Sequence, residues 1–444
     1  MHDVVESIRD ALRPVAERPG ARFCVAFSGG LDSSVLLHVV VRLGLGDVRA
    51  VYVDHQLQPQ SAAWGLHCGE FCRQLGVPFE QRLVTVDHQG GEGPEAAARR
   101  ARYLALAEIL ASGETLLTAH HQDDLVETVL LNLLRGSGPA GLAGIPRAAP
   151  LGAGWLLRPL LEVPRASLTG YARGAGLTWI EDPSNRDERL DRNFLRHQAL
   201  PLLGQRWPGV RATVARSARW CAEAGGLLDA LGSDDARRVA RGGRVLVSRL
   251  AALSEARQRN ALRSLCRHAL GSVPPERRLR EGLAQLIHAG PDRQPLLRWG
   301  GGEIRRYRGA LYLLRPYAPM PGRSAMELPV RGGATLDLGP GLGRLRLVSA
   351  RGQGLSAARA GASLHVRFRC GGEMLRPVGS AHARELRKLL QERGVVPWMR
   401  ARMPLLYSGE QLVAVAHLWV AADFVASGAE RALRVRWDEH PPLE

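Results

Sequence analysis

Two clusters in the first third of the chain hold side chains whose types and spacing could do chemistry. The first is Ser28-Gly29-Gly30-Leu31-Asp32-Ser33-Ser34, set between the apolar run Phe23–Phe27 and the helix-like VLLHVVVRL. Glycines let backbone approach an anion closely, while serine hydroxyls and free N–H groups at a helix start donate along a favourable dipole. No lysine follows to reach between β- and γ-phosphates, so the loop suits the pyrophosphate half of ATP. A carboxylate facing phosphate is out of place unless it organises magnesium, which prefers oxygen ligands, and Asp32 is assigned that role.

The second cluster is His120-His121-Gln122-Asp123-Asp124-Leu125-Val126-Glu127. On a helix turning about 100° per residue, His120, Asp124 and Glu127 fall within an arc of about 60°. Such a group can bind a metal, act as acid or base, or grip a substrate cation, and spacing does not choose among these. A capped, solvated helix start is the plain alternative, because acidic residues favour helix N-termini.

Composition narrows the chemistry. The formal net charge is +17 and the pI about 10.8, which points to a polyanionic partner, nucleic acid first, with an arginine-biased solvated surface as the alternative. Lys388 is the single lysine, so a Walker-A phosphate loop and Schiff-base chemistry are excluded from the N-terminal half. The six cysteines form neither a disulfide frame nor a zinc ribbon; their only close pair, Cys68 and Cys72, is spaced C-x3-C. There is no run of 18 or more apolar residues, and the start MHDVVESIRD lacks the layout of a signal peptide; the expectation is a cytoplasmic protein without a membrane segment.

These clusters need elements to hold them. Short β-branched runs at 23–27, 48–55, 79–86 and 115–120 alternate with helical patterns, predicting an α/β, doubly wound parallel sheet over 1–210 with its site at the strand carboxyl ends. Residues 211–320 read as a small helical domain, arginine-rich in ARQRNALRSLCRHAL (256–270), whose basic helices face RNA or merely solvent. After the Gly/Pro-rich stretch PYAPMPGRSAM, the strand-like runs RLRLVSA, SLHVRFR and QLVAVAHLWV predict a C-terminal α+β domain over 321–444.

SGGLDSS resembles the phosphate loop of the PP-loop ATPases, which cleave ATP to AMP and pyrophosphate. HHQDDLVETVLLNLLRGSG with Gly138–Pro146 resembles the lysidine synthetases specifically. So do Glu95–Tyr103, Arg158-Pro159-Leu160-Leu161, Glu181–Asn185, Arg192–Arg196, Arg367–Pro377 and Arg387–Leu406. The likeness covers about 1–210 and 363–420, and the middle only weakly. Where the family shows a lysine pair before LLQE, this chain has Arg387-Lys388, which keeps both charges.

The resemblance implies that ATP adenylates the C2 oxygen of the wobble cytidine in a CAU-anticodon tRNA(Ile), after which the ε-amine of free lysine displaces AMP. Ser28, Gly29, Gly30, Leu31, Asp32 and Ser33, with Ala26, Phe27 and Asp54 beside them, would hold ATP and, through Asp32, Mg2+. His55 is expected to have a structural or tRNA-side role. Asp124, His120 and Glu127 would capture lysine and the reacting base, and the cluster would then accept the proton of the amine. Arg192 or Arg196 would meet the transition state, and Arg387, Lys388, Arg400 and Arg402 would contact tRNA. A homodimer is compatible with the sequence, which fixes no assembly. Two rivals stand beside this reading: a tRNA thiolase, which would need a C-x-x-C pair, and a catalytically inert RNA-binding protein of the same fold.

Overall fold

The computed structural model describes residues 3–56, 60–86, 94–290, 293–317, 320 and 325–443. The chain forms two compact units, Met1–Leu228 and Asp229–Glu444.

The first unit alternates helix and strand: α1 (Val4–Ala16), β1 (Arg22–Ala26), α2 (Leu31–Leu43), β2 (Asp47–Asp54), α3 (Ser61–Leu75), β3 (Phe79–Leu83), α4 (Pro94–Ile109), β4 (Thr115–Leu117) and α5 (Gln122–Leu134). Then come α6 (Pro139–Leu142), the hairpin strands β5 (Ala148–Leu151) and β6 (Gly154–Leu157), α7 (Arg165–Gly174), α8 (Asp191–Phe194), α9 (Leu200–Arg206) and the long α10 (Val210–Val239), whose last residues belong to the second unit. The sheet order is β3-β2-β1-β4-β6-β5, parallel except for the edge strand β5. The expected doubly wound sheet is therefore present. β1 is buried on both faces: Phe23 and Val25 pack toward α1, α2 and α7, while Cys24 packs with Val51, Leu106 and Leu116. Such strands read as continuous apolar runs, which is why FCVAF stood out.

Chain order reverses between β1 and β4, which lie side by side although α2 through α4 intervene. The crevice beyond the carboxyl ends of two such strands is where open α/β sheets bind ligands. The phosphate loop follows β1 and the histidine–carboxylate cluster follows β4, so topology alone brings the two clusters to one place.

In the second unit the middle segment carries the expected helices, Glu255–Leu270 and Glu276–His288. It also contains a five-stranded antiparallel sheet, built from Ala240–Arg241, Arg244–Leu246, Leu296–Trp299, Gly302–Tyr307 and Ala310–Leu314, that the helical reading left out. Two of its turns, Gly242-Gly243 and Arg308-Gly309, have positive φ at both central residues, the geometry that closes a tight hairpin. Most arginines of Glu255–Leu270 are already spent: Arg257 pairs with the buried Asp235, Arg263 with Glu276 and Arg267 with Asp229. The C-terminal strands appear as expected, in a five-stranded and a four-stranded antiparallel sheet sharing Leu345, Leu364, Leu405, Val413 and Leu433 in one core. Among the described residues no helix is long and apolar enough to cross a membrane.

Candidate active site

The loop after β1 is fixed by its own residues. Gly29 has φ +74°, and a Cβ there would sit 2.7 Å from Ile180 Cδ1 and 3.0 Å from Cys68 Sγ, so glycine is required for both backbone and space. Gly30 is the N-cap of α2 and carries no side chain to occupy the helix N-terminus. Ser28 Oγ and Ser33 Oγ lie 3.1 Å apart, and Ser33 Oγ donates to Gly30 O at 3.0 Å, which fixes both hydroxyls at the loop. A brace that the sequence reading missed completes it: Ile180 N donates to Gly29 O at 2.8 Å, and Ile180 forms a parallel bridge with Gly30.

The helix after β4 begins later than expected. α5 starts at Gln122 with His121 as its N-cap, so His120 lies before the helix and does not share a helical face with Asp124 and Glu127. His120 nevertheless lines the same small cavity as Asp124. Its Nδ1 is 2.9 Å from Thr118 Oγ1; burial, with Arg158, Arg99 and Arg102 nearby, outweighs the pull of Asp124 and holds its pKa down to about 3. Within the cluster expected to accept the proton of the amine, His120 is thus a weak base.

The neighbouring His121, which sequence reasoning passed over, is the joint of the site. Its Nε2 is 3.5 Å from Asp32 Oδ2 and 3.5 Å from Asp124 Oδ2, and its Nδ1 is 4.0 Å from Asp123 Oδ2. Burial works against a charged ring, but the hydrogen bond to Asp32 and the charges of Asp124 and Asp123 win and raise its pKa. A histidine one residue before Gln-Asp-Asp, with an acid three positions on, was the available signal. His121 N also donates to Asp124 Oδ2 at 3.0 Å, capping the helix.

Glu127 is fully buried and does not open into the cavity. Arg196 Nε and Nη2 donate to its two oxygens at 2.7 and 2.9 Å, and Arg192 Nε lies 3.1 Å from Oε2. Burial pushes the Glu127 carboxyl up, and the Arg196 guanidinium pulls it back. The two arginines diverge from this shared anion: Arg192 lines a cavity of 240 Å³ with His120, Asp124, Arg99 and Tyr103, whereas Arg196 lines a cleft of 660 Å³. Both spaces open onto Ala26, Ser28, Gly30, Asp32 and Arg102. Leu31, Phe27 and His55 line the larger cleft. Asp54 is not brought to either space; it is buried and accepts from Gln56 N at 2.8 Å.

Asp32 Oδ1 is buried with no hydrogen-bond partner among the described residues, as suits a carboxylate oxygen kept for a cation. No group of three or more metal-ligating side chains accompanies it among those residues, so any ion would be completed by phosphate and water oxygens, which is magnesium's habit. The cysteines of β1 and α3 are buried, and burial pushes the thiols of Cys24, Cys68 and Cys72 up to about 12. In the second unit, Arg387 and Lys388 are exposed on Leu386–Glu392. Arg400 is turned inward, donating to Val395 O and Tyr307 Oη at 2.9 Å each, and Arg402 stacks 4.5 Å over Tyr317.

Comparison with known proteins matches three stretches of this chain to family descriptions: a PP-loop domain over 3–203, a TilS substrate binding domain over 246–312 and a TilS substrate C-terminal domain over 364–437. The tRNA(Ile)-lysidine synthase of Alkalilimnicola ehrlichii is 46% identical over 429 residues, covering 96% of this chain and 95% of that one. That of Methylococcus capsulatus is 40% identical over 437 residues, covering 94% and 97%. That of Coxiella burnetii is 38% identical over 413 residues, covering 92% of each.

Proposed function

The chain belongs to the tRNA(Ile)-lysidine synthase family, and from that premise we propose how its residues divide the reaction between them. ATP lies on the loop Ser28–Ser33 with Ala26 and Phe27 alongside, and its α-phosphate is presented to the C2 oxygen of the wobble cytidine of a CAU-anticodon tRNA(Ile). Free lysine enters the cavity shared by Asp124 and His120 and displaces AMP from the activated carbon. The enzyme works in the cytoplasm, where both substrates are. The three-part division 1–210, 211–320 and 321–444 is retained as catalytic, middle and C-terminal tRNA-holding parts.

The observation that carries this reading is the placement of His121 between Asp32 and Asp124, 3.5 Å from each. It makes the nucleotide loop and the carboxylate cluster one centre, so activated base and nucleophile can meet without moving between sites. Asp124, which faces the cavity, supplies the anionic oxygen for the lysine ammonium. Glu127 acts one layer behind, fixing Arg192 toward the nucleophile cavity and Arg196 toward the nucleotide cleft, where planar guanidiniums meet phosphate oxygens. Asp32 would hold Mg2+, which when bound neutralises phosphate charge; the backbone N–H groups and hydroxyls of the loop share that load. The lysine ammonium must lose a proton before its ε-amine can attack; that proton passes to solvent, because His120, with its lowered pKa, is too weak a base to hold it, and the ring shapes the cavity.

The test separates the two half-reactions. Exchange of labelled pyrophosphate into ATP should require CAU-anticodon tRNA(Ile) but no lysine, should be lost in Asp32→Ala, and should survive in Asp124→Asn while lysine transfer is lost. Exchange that needs lysine, or that proceeds without tRNA, would remove the adenylated-base step.

A further inference from the structure

One stripe of α7 has no part in the site so far. Leu168 and Ala172 are fully buried in the core shared with α2, and the adjoining face of the helix borders the 660 Å³ cleft. On that face stand Arg165, Thr169 and Arg173, at positions i, i+4 and i+8, an arc of about 80°. Arg165 is half-buried, and its Nε is buried with no partner among the described residues. No ion pair of Arg165 or Arg173 with a carboxylate is found there. Asp123 is close to Arg165, but its Oδ2 accepts from the backbone N–H at 3.0 Å while its Oδ1 is taken by Arg211 Nε at 2.6 Å. The other arginines of the cleft are engaged: Arg196 with Glu127 and Asp124, Arg186 with Glu181, Arg102 over the Tyr103 ring.

An uncompensated guanidinium half-buried in a cleft costs desolvation unless an anion meets it there. The cleft is already lined by the phosphate loop, which supplies neutral donors and no cationic side chain, while cleavage next to the α-phosphate leaves a highly charged pyrophosphate. We propose that Arg165, with Arg173 two turns further along α7, holds the β- and γ-phosphates of ATP and then the departing pyrophosphate. The bond from the base oxygen to the α-phosphorus forms as the bond to the bridging oxygen breaks, and that electron pair leaves with pyrophosphate toward Arg165. No proton moves, because a guanidinium stays charged throughout. Thr169 Oγ1 donates its one hydrogen to Arg165 O at 3.2 Å, so it steadies this turn of the helix rather than binding phosphate. The assignment rests on the ATP site described above.

The experiment titrates inorganic pyrophosphate, and separately AMP, into wild-type enzyme and Arg165→Gln, Arg165→Lys and Arg165→Gln/Arg173→Gln by calorimetry, alongside filter binding of tRNA. Losing charge-assisted bonds should weaken pyrophosphate about tenfold in Arg165→Gln and further in the double variant. AMP and tRNA should change less than about twofold, and Arg165→Lys should recover part of the loss. Unchanged pyrophosphate binding with weakened tRNA would give these arginines to the RNA backbone and overturn the proposal. Equal loss of AMP and pyrophosphate would also overturn it, as general damage to the cleft. Because the titration needs no turnover, wild-type enzyme that binds pyrophosphate yet shows no tRNA-dependent exchange would sink the reaction assignment and leave this one standing.

Discussion

Arg196 and Glu127 form a two-point ion pair, at 2.7 and 2.9 Å, in which the carboxylate is fully buried and the guanidinium reaches on to Asp124 Oδ1 at 3.3 Å. On the proposed division of roles the pair positions the cation that meets the nucleotide, and it also buries charge, so it should act on stability and rate together. Glu127→Gln leaves two arginines without their shared anion. Breaking a buried pair from one side costs about 3 kcal/mol, read as a lower denaturant midpoint. Pyrophosphate exchange and lysine transfer should both fall, because Arg192 and Arg196 lose their aim together. A variant with wild-type exchange at full folding would show that Glu127 positions nothing.

His120 gives a prediction about pH. Its pKa is held down to about 3, so the ring is neutral well below pH 5 and does not titrate between pH 5 and 9. The lysine amine titrates near 10.4 in the ordinary case, so the rate of lysine transfer should rise with pH from that group. His120→Asn should lower the rate without moving the profile. An acid limb near pH 6 in wild type that vanishes in His120→Asn would restore a proton-accepting role.

The C-terminal contact with tRNA is tested by salt. Arg387 and Lys388 are exposed, whereas Arg400 and Arg402 are committed to Tyr307 and Tyr317. Each phosphate contact contributes about 0.7 to 0.9 to the slope of log affinity against log salt. Replacing Arg387 and Lys388 with alanine should therefore flatten the slope by about 1.5, while Arg400→Ala should chiefly lower stability. The opposite ranking would move the RNA surface to the aromatic cluster.

How far the sequence reached depended on whether local pattern or tertiary packing decided each feature. SGGLDSS could be placed because strand, loop and helix are contiguous and glycine is forced by local backbone geometry. The convergence of that loop with the second cluster followed from strand alternation alone. His120 was misplaced because the helical arc assumed a helix from 120 onward, whereas β4 ends at Leu117 and the helix begins only at Gln122, after the cap at His121. Glu127 was taken for a ligand because polarity marks the helix face but not its depth, and the arginines covering it come from more than 60 residues away. The middle sheet escaped notice because its strands are short and its glycine turns lie in an arginine-rich, helix-like context. Arg165 gave no local signal, since its exposure to the cleft is set by Leu168 and Ala172 docking on α2.

The most direct test of the central claim is incorporation of labelled lysine into CAU-anticodon tRNA(Ile) with ATP and magnesium, by wild type, Asp32→Ala and Asp124→Asn. The expected result is ATP-dependent labelling by wild type, lost in both variants while each still binds tRNA. Labelling retained in Asp124→Asn, or none in wild type despite tight tRNA binding, would contradict the joined site and the reaction assigned to it.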